Sequence, residues 1–279
     1  MKKVWLITGC STGFGRSLAM AVLTKGDFVA VGSRNTNDIQ DIIQQFPENA
    51  IPLTLDVTKP EQINSAVEQT IQHFHKIDVL VNNAGIGYFG AVEESEDAAI
   101  RKMFDINVFG LGDMIKAVLP QMRKQRSGHI LNIASIGGLR SYPGVGYYNA
   151  TKYAVDGLSE ALYKEVSPLG IKVTIIAPSG FRTDWAGRSA NDTKVHIEDY
   201  NATARKNMGD IRTSSGNQPG DPDRAAQAMI QVVESENPPM RLLLGAAALR
   251  GAKLKLEELK NDFENWATLT EWTDNPKAL

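Results

Sequence analysis

Near the middle of the chain, Tyr147-Tyr148-Asn-Ala-Thr-Lys152 follows a run of small and turn-forming residues from Ser135 to Gly146. Side chains four apart on a helix share a face, so Lys152 lies beside Tyr148 rather than beside Tyr147, five away. None of the other six tyrosines has a lysine four residues on. A phenol titrates near ~10 and is a poor base at neutral pH, and an ammonium close by favours the phenolate and lowers that value. Tyr148 so placed is a workable general acid and, in the reverse sense, a general base. Ser135 ends an apolar run that reads as a strand, where α/β sheets collect ligands, and its hydroxyl is placed to hold the oxygen that Tyr148 protonates. The plainer reading makes Ser135 a turn cap and Tyr148 a half-buried packing residue. Lysine is common enough that one pairing at this spacing is no proof.

A second group of residues lies near the start. An apolar run passes directly into Thr8-Gly-Cys-Ser-Thr-Gly-Phe-Gly15 and then into helical periodicity. Glycines at 9, 13 and 15 permit a tight turn and a close approach of backbone to ligand. The helix that follows presents unpaired N–H groups and a positive dipole end, which suits a pyrophosphate. The spacing departs from Gly-x-Gly-x-x-Gly, but the mechanics are those of a dinucleotide turn. A strand–helix turn with chance glycines is the alternative. The second apolar run ends Gly32-Ser33-Arg34, where dinucleotide folds often carry an acid for the ribose hydroxyls. A small neutral serine followed by a guanidinium, which pairs with phosphate bidentately, favours NADP(H) and makes NAD(H) the less expected cofactor. An arginine in a solvated loop is the commoner occurrence.

These groups need a scaffold. Apolar runs at Val4–Thr8, Phe28–Gly32, Ile51–Leu55, Val79–Asn82, His129–Ala134, Val173–Ala177 and Arg241–Leu244 are mostly continuous rather than alternating, as expected of strands buried on both faces. Amphipathic segments lie near 14–25, 37–46, 60–74, 96–126, 147–168 and 222–235. The alternation predicts an α/β fold with right-handed crossovers. It is a single-domain, Rossmann-type, doubly wound parallel sheet of about seven strands with helices on both faces. No repeat, low-complexity tract or linker divides the chain. Residues 186–220 are polar and weakly periodic, the composition of a lid over a substrate. Asp221-Pro222 reads as an N-cap with proline at the first helical position. The extension 249–279 has helical composition around Lys253–Phe263 and is otherwise weakly specified.

Composition narrows the function classes. With 42% hydrophobic and 22% charged residues the chain is globular in type, and a net charge of -2 gives no electrostatic case for nucleic acid or an anionic membrane. The single cysteine, Cys10, forms no intrachain disulfide, the start lacks a signal-peptide core, and no stretch reaches the ~18–20 apolar residues of a membrane span. A cytoplasmic protein is expected. His73 and His75 point in different directions on a helix, and no metal site is expected.

Taken in order, Thr8-Gly-x-x-x-Gly-x-Gly15, Asp56, Asn82-Asn-Ala-Gly85, Asn107, Ser135, Tyr148-x-x-x-Lys152 and Pro178-Ser-Gly-Phe-Arg-Thr183 resemble the short-chain dehydrogenase/reductase family. The resemblance is strong over 3–185 and looser over 220–248, and it points to the NADP(H)-preferring carbonyl reductase and retinol- and hydroxysteroid-dehydrogenase-like branch; family members with a similar Gly-Phe-Arg-Thr-Asp-Trp stretch include retinol- and hydroxysteroid-like dehydrogenases. It implies that Asn107, Ser135, Tyr148 and Lys152 are catalytic, with Asn107 kinking its helix and holding a water that links Lys152 to solvent. It implies a cofactor held by the turn (Gly9, Ser11, Thr12, Gly13, Phe14, Gly15), by Ser33 and Arg34, and by Asp56 and Val57 at the adenine. Asn83, Ala84 and Gly85 would line the adenosine side, and Lys152 would touch the nicotinamide ribose. Ile133, Pro178, Gly180, Phe181 and Thr183 would flank the nicotinamide. Where the family usually reads Pro-Gly, this chain has Pro178-Ser179, and a positive backbone angle there would cost serine more than glycine.

The expected pocket lining is apolar and aromatic: Gly137, Gly138, Leu139, Tyr142, Pro143, Val145, Tyr147 and Trp185, with Arg140 solvated. A lipophilic ketone or aldehyde, or a secondary alcohol, fits that lining. The long segments 99–126 and 147–168 resemble the helices through which this family forms homodimers and homotetramers; Met114, Val118 and Met122 could equally be core. A non-enzymatic NADP(H)-binding redox sensor is the alternative function, and a nucleotide-sugar epimerase on the same fold ranks last because the C-terminal part is short.

Overall fold

The computed structural model describes residues 2–187 and 189–274; Arg188 of the 186–220 segment and the last five residues of the 249–279 extension lie outside the described residues. The elements are β1 (Val4–Ile7), α1 (Gly13–Thr24), β2 (Phe28–Ser33), α2 (Gln40–Gln45), β3 (Ala50–Thr54), α3 (Pro60–Phe74), β4 (Val79–Asn82), β5 (Gly87–Phe89), α4 (Asp97–Phe104), α5 (Leu111–Gln125), β6 (Gly128–Ile133), α6 (Gly146–Val166), β7 (Ile171–Pro178), β8 (Ala190–Asp192), α7 (Lys206–Thr213), α8 (Pro222–Glu234), β9 (Arg241–Leu244) and α9 (Ala246–Trp272). Seven strands form one sheet in the order β3-β2-β1-β4-β6-β7-β9, and every pairing in it is parallel.

The continuous apolar runs are explained by two cores, one on each side of this sheet. Strand side chains alternate faces. Trp5, Ile7, Val29, Val31 and Leu131 pack with Leu18 and Val22 of α1 and Met229 and Ile230 of α8. Leu6, Ala30, Leu80 and Ile130 pack on the other face with α3, α5 and α6. Met114, Val118 and Met122 are wholly buried in that second core, so these three serve packing rather than a subunit contact. The chain runs outward from β1 to β3 and then returns to continue from β4 on the other side, which leaves a crevice at the carboxyl ends of β1 and β4.

Two stretches depart from the sequence expectation. The segment 96–126 is not one helix: a π-helical turn at Asp105–Gly110, containing Asn107, separates α4 from α5. Gly110 is required there, because a Cβ would stand 2.6 Å from the Val57 carbonyl oxygen. The extension forms a 27-residue helix, α9, which buries Ala248 and Gly251 and then leaves the body, exposing Phe263, Trp266 and Trp272. No described helix is long and apolar enough to cross a membrane.

The polar segment beyond Phe181 leaves and returns at one point. Phe181 bridges to Gly220, and the Arg182 guanidinium pairs with Asp221, the N-cap of α8. In between, β8 forms a two-stranded parallel ribbon with β5. A buried carboxylate ties this ribbon to the rest of the segment. Glu94 accepts from the Arg205 guanidinium (2.7 Å), the Ile197 N–H (2.8 Å) and the Ala91 N–H (3.2 Å). Burial pushes its pKa up, but the Ile197, Ala91 and Arg205 donors together outweigh burial and hold it below the usual glutamate range.

A folded-state pKa below the unfolded value means that this carboxylate stabilises the fold fully above pH ~4.3, and that the contribution fades as pH falls through the folded value. Glu94→Ala is expected to cost about 2–3 kcal/mol at neutral pH by urea unfolding, with the gap from wild type closing on acidification towards pH ~3. A gap that is constant across this range would contradict the role given to the carboxylate.

Candidate active site

At the crevice the first βα turn is built from glycine necessity. Gly9 and Gly13 have φ of +70° and +58°, and a Cβ on Gly15 would fall 2.4 Å from the Gly9 carbonyl oxygen. Asn83 holds the turn from the next strand: its amide donates to the carbonyls of Thr8 and Gly9 (both 2.9 Å), while the Thr8 hydroxyl accepts from the N–H groups of Asn83 and Ala84. The first turn of α1 has no acidic residue, and its N-cap, Thr12, makes no side-chain cap bond. Its N–H groups and dipole are therefore available to an anion, and the residues present fit a dinucleotide pyrophosphate.

The glycine turn and the serine, tyrosine and lysine face one cavity, about 1040 Å³ in volume. It is lined by Gly9, Ser11, Thr12, Gly13 and Phe14 of the turn, by Ser33 and Arg34 after β2, and by Asp56 and Val57 after β3. Asn83, Ala84, Gly85, Ile133, Pro178, Gly180, Phe181 and Thr183 line the same cavity. Gly15 lies beneath the turn rather than on the cavity, since the Asn83 amide and the Gly9 carbonyl occupy the space beside it. Ser179 has no positive φ; its N–H and hydroxyl both donate to the Leu244 carbonyl of β9. The serine is accommodated by an ordinary backbone, and the cost that a positive angle would carry there does not arise.

Ser135, Tyr148 and Lys152 line the other half of the cavity. Ser135 caps a short 3₁₀ turn, accepting from the Gly137 N–H at 3.0 Å, so the plain reading of this serine holds alongside its place in the site. Tyr148 opens α6 and is buried; Tyr147 packs against the Phe89–Met103–Val145 cluster and does not reach the cavity. Lys152 is also buried, donates to the Ile133 carbonyl at 2.8 Å, and stands 5.7 Å from the centre of the Tyr148 ring. Asn107 lies behind them. Its amide is paired with both backbone groups of Ile86 (2.9 Å each) and donates to the Thr151 hydroxyl, which in turn donates to the Tyr148 carbonyl.

The electrostatics correct one expectation. Burial pushes the Tyr148 phenol up to about 12, with only the Ser135 hydrogen bond acting the other way, and burial pushes Lys152 down to about 8. The ammonium therefore does not bring the phenol towards neutrality: desolvation of the phenolate raises it, and the Ser135 hydrogen bond does not offset that. Positive charge from a ligand would be needed to favour the phenolate further.

On the substrate side, Gly137, Tyr142, Val145 and Trp185 line the cavity as expected. Gly138, Leu139, Pro143 and Tyr147 do not. A Cβ on Gly138 would stand 2.7 Å from the Lys152 carbonyl, so this stretch packs on α6, and Leu139 follows the 3₁₀ turn out of the wall, where Ile136 lines it instead. Arg140 pairs with Glu258 of α9. Sequence reasoning missed Asn191, Asn207, Ile211 and Gln218, which the polar segment brings to the rim, and Asp38, which lies near Arg34. A polar segment without periodicity gives no sign of which side chains will face inward.

Comparison with known proteins agrees with this geometry. A family model described as short chain dehydrogenase matches residues 3–194. An oxidoreductase of Botryotinia fuckeliana, BOA17, is 38% identical over 97% of this chain and 98% of its own. A 3-ketodihydrosphingosine reductase of Bacteroides thetaiotaomicron is 36% identical over 87% and 88%. The crystal structure of a short-chain dehydrogenase from Streptomyces avermitilis superposes with a TM-score of 0.92 at 38% identity, covering 99% of this chain and 100% of that one. ElxO with NADP bound (TM-score 0.74, 29% identity, 90% and 100% covered) and the 3-ketoacyl-(acyl-carrier-protein) reductase of Brucella melitensis complexed with NADH (0.73, 28%, 86% and 96%) share the fold. With its seven-stranded parallel sheet, its glycine turn and the Ser135, Tyr148 and Lys152 cluster at the crevice, the chain belongs to the short-chain dehydrogenase family of oxidoreductases.

Proposed function

We propose that the protein transfers hydride between NADP(H) and a lipophilic ketone or aldehyde, or the corresponding secondary alcohol, with Tyr148 as general acid and base. The observation that carries this reading is the sharing of one cavity by the glycine turn and by Ser135, Tyr148 and Lys152. The cofactor supplies the hydride when bound. In the reduction, the Ser135 hydroxyl holds the substrate oxygen, the Tyr148 hydroxyl gives it a proton, and the Lys152 ammonium offsets the negative charge left on the phenol. Asn107 is a positioning residue: through Thr151 it fixes the backbone of Tyr148, and it supports a water-borne proton path to Lys152. Asp56 and Val57 hold the adenine end, and Phe181 and Thr183 the nicotinamide end.

Support for a lipophilic substrate comes from the Trp185, Tyr142, Val145, Ile136 and Ile211 wall, and from a similar protein whose name describes reduction of a long-chain keto lipid. The segment 186–220 acts as the lid over it. A homodimer or homotetramer is supported by Phe109, Tyr153, Leu158 and Tyr163, large side chains left exposed along the π turn and α6.

Arg34 is exposed at the cavity rim beside Ser33, whose hydroxyl donates to the Asn35 carbonyl. Arg34 is assigned to the 2′-phosphate of NADP(H). In titrations, wild type is expected to bind NADPH more tightly than NADH, and Arg34→Ala to lose about 1.5–3 kcal/mol, roughly 10- to 150-fold, for NADPH alone. Equal affinities in the wild type would remove this assignment.

Tyr148→Phe is expected to abolish carbonyl reduction, by about 10²-fold or more in kcat, while the Kd for NADPH stays within about two-fold of wild type. Retained turnover would contradict the role of the phenol. NADPH binding by wild type without turnover of any ketone, aldehyde or steroid-like carbonyl would favour a redox sensor.

A further inference from the structure

Among the described residues, the aromatic ring paired with Tyr148 belongs to the polar segment. Trp185 sits with its centroid 4.8 Å from that of Tyr148, the planes tilted by 48°. The indole is itself fixed from behind. Phe89 of β5 meets it edge-to-face at 5.5 Å, and Gly87 gives it room, since a Cβ at 87 would stand 3.1 Å from two atoms of the indole. On Phe89 lies the Arg212 guanidinium of α7, 4.4 Å from the ring centroid.

The hydrogen bonds of Arg212 go to the segment that carries Trp185. Its two terminal nitrogens donate to the carbonyls of Ala186 (2.8 Å), Gly187 (2.6 Å) and Ala190 (2.7 Å) and to the carboxylate of Asp192 (2.6 Å). A planar guanidinium holding four acceptors in fixed directions cannot be replaced in that role by an ammonium. Two of these carbonyls, Ala186 and Gly187, follow Trp185 directly in sequence, so the fork sets where the indole stands.

We propose that Trp185 is a positioning residue for Tyr148 and that Arg212 is the latch that sets it, so that the placing of the lid is transmitted to the phenol through one contiguous stack: Arg212 on Phe89, Phe89 on Trp185, Trp185 on Tyr148. This inference rests on the reading of Tyr148 as the proton donor. With the latch made, the phenol has one ring face covered and its hydroxyl held towards Ser135. With the latch broken, the indole is released, water reaches the phenol, and proton donation loses its alignment. The chain then couples substrate enclosure to chemistry, and a lid opened by a bulky or incomplete substrate would leave Tyr148 misplaced.

Two readouts test this. The first is kinetic. Trp185→Ala is expected to lower kcat by on the order of 10²-fold, as for a misplaced reacting group, with the Kd for NADPH unchanged, and Trp185→Phe, which keeps a ring against Tyr148, to restore most of it. Arg212→Ala should act through the same stack, so the double variant should be no slower than Trp185→Ala alone. A Trp185→Ala variant that raises KM and leaves kcat alone would make the indole a pocket wall only, and additive losses would separate latch from ring. The second readout needs no turnover. Trp5 is wholly buried, and Trp266 and Trp272 are exposed on α9. In a Trp266→Gln, Trp272→Gln background, acrylamide quenching therefore reports Trp185. Arg212→Ala is expected to raise that quenching by roughly two-fold as the segment opens locally; unchanged quenching overturns the latch. If wild type reduces no carbonyl, the Tyr148 reading falls, while raised quenching in Arg212→Ala still upholds the latch.

Discussion

A lysine ammonium inside the protein, donating to the carbonyl at the end of a central strand, is the constraint on which the site depends. Burying a charge is costly unless it is paired or bonded. The bond from Lys152 to Ile133 couples α6 to the end of β6 at 2.8 Å. Once α6 is pinned there, Tyr148 follows one helical turn earlier, beside Ser135 as the strand ends. The same burial that makes the ammonium costly raises the phenol, so both groups are held away from their aqueous behaviour by one environment. Buried sites of this kind are where protonation is poised for catalysis.

The groups around this pair are held by further buried polar bonds rather than by apolar packing alone. The amides of Asn82 and Asn132 are linked across β4 and β6 at 2.9 Å, and Asn132 continues to the Ser159 hydroxyl of α6 at 2.8 Å. A ladder of this sort fixes helix to sheet in one register, which an apolar contact would leave freer to slide. Asn107 does the same from the π turn, its side-chain amide holding both backbone groups of Ile86. On the far side, Gly9 of the turn lies so close to the Asn83–Gly85 stretch that a Cβ on it would stand 3.0 Å from the Ala84 Cα. One end of the cavity is thus shaped by missing side chains and the other by bonded ones.

Much of this was legible in the residues. The seven strands were visible because a strand covered on both faces must be apolar at every position, and each of the seven runs became a strand of the one sheet. Tyr148 was separable from Tyr147 because helical spacing alone decides which stands over a lysine. What escaped depends on contacts between distant residues. The β5–β8 ribbon has three residues in each strand, a hundred positions apart, and neither strand has a pattern long enough to read. Glu94 and Arg212 look like surface charges, and only the folded segment shows one buried and the other bonded to four acceptors. Leu139 was misplaced because a 3₁₀ turn rotates the chain by three residues per turn rather than continuing the wall. The pKa of Tyr148 was expected to fall because spacing shows the neighbouring charge, but not the burial that raises the phenol.

The central claim is that hydride reaches a carbonyl carbon in the cavity that Tyr148 shares with the glycine turn. The most direct test supplies NADPH deuterated at the transferring position of the nicotinamide, with a long-chain ketone, and examines the product by mass spectrometry. The account predicts one deuterium at the carbinol carbon, delivered to a single face. A carbinol carrying no deuterium, or no alcohol formed while NADPH is bound, would contradict it.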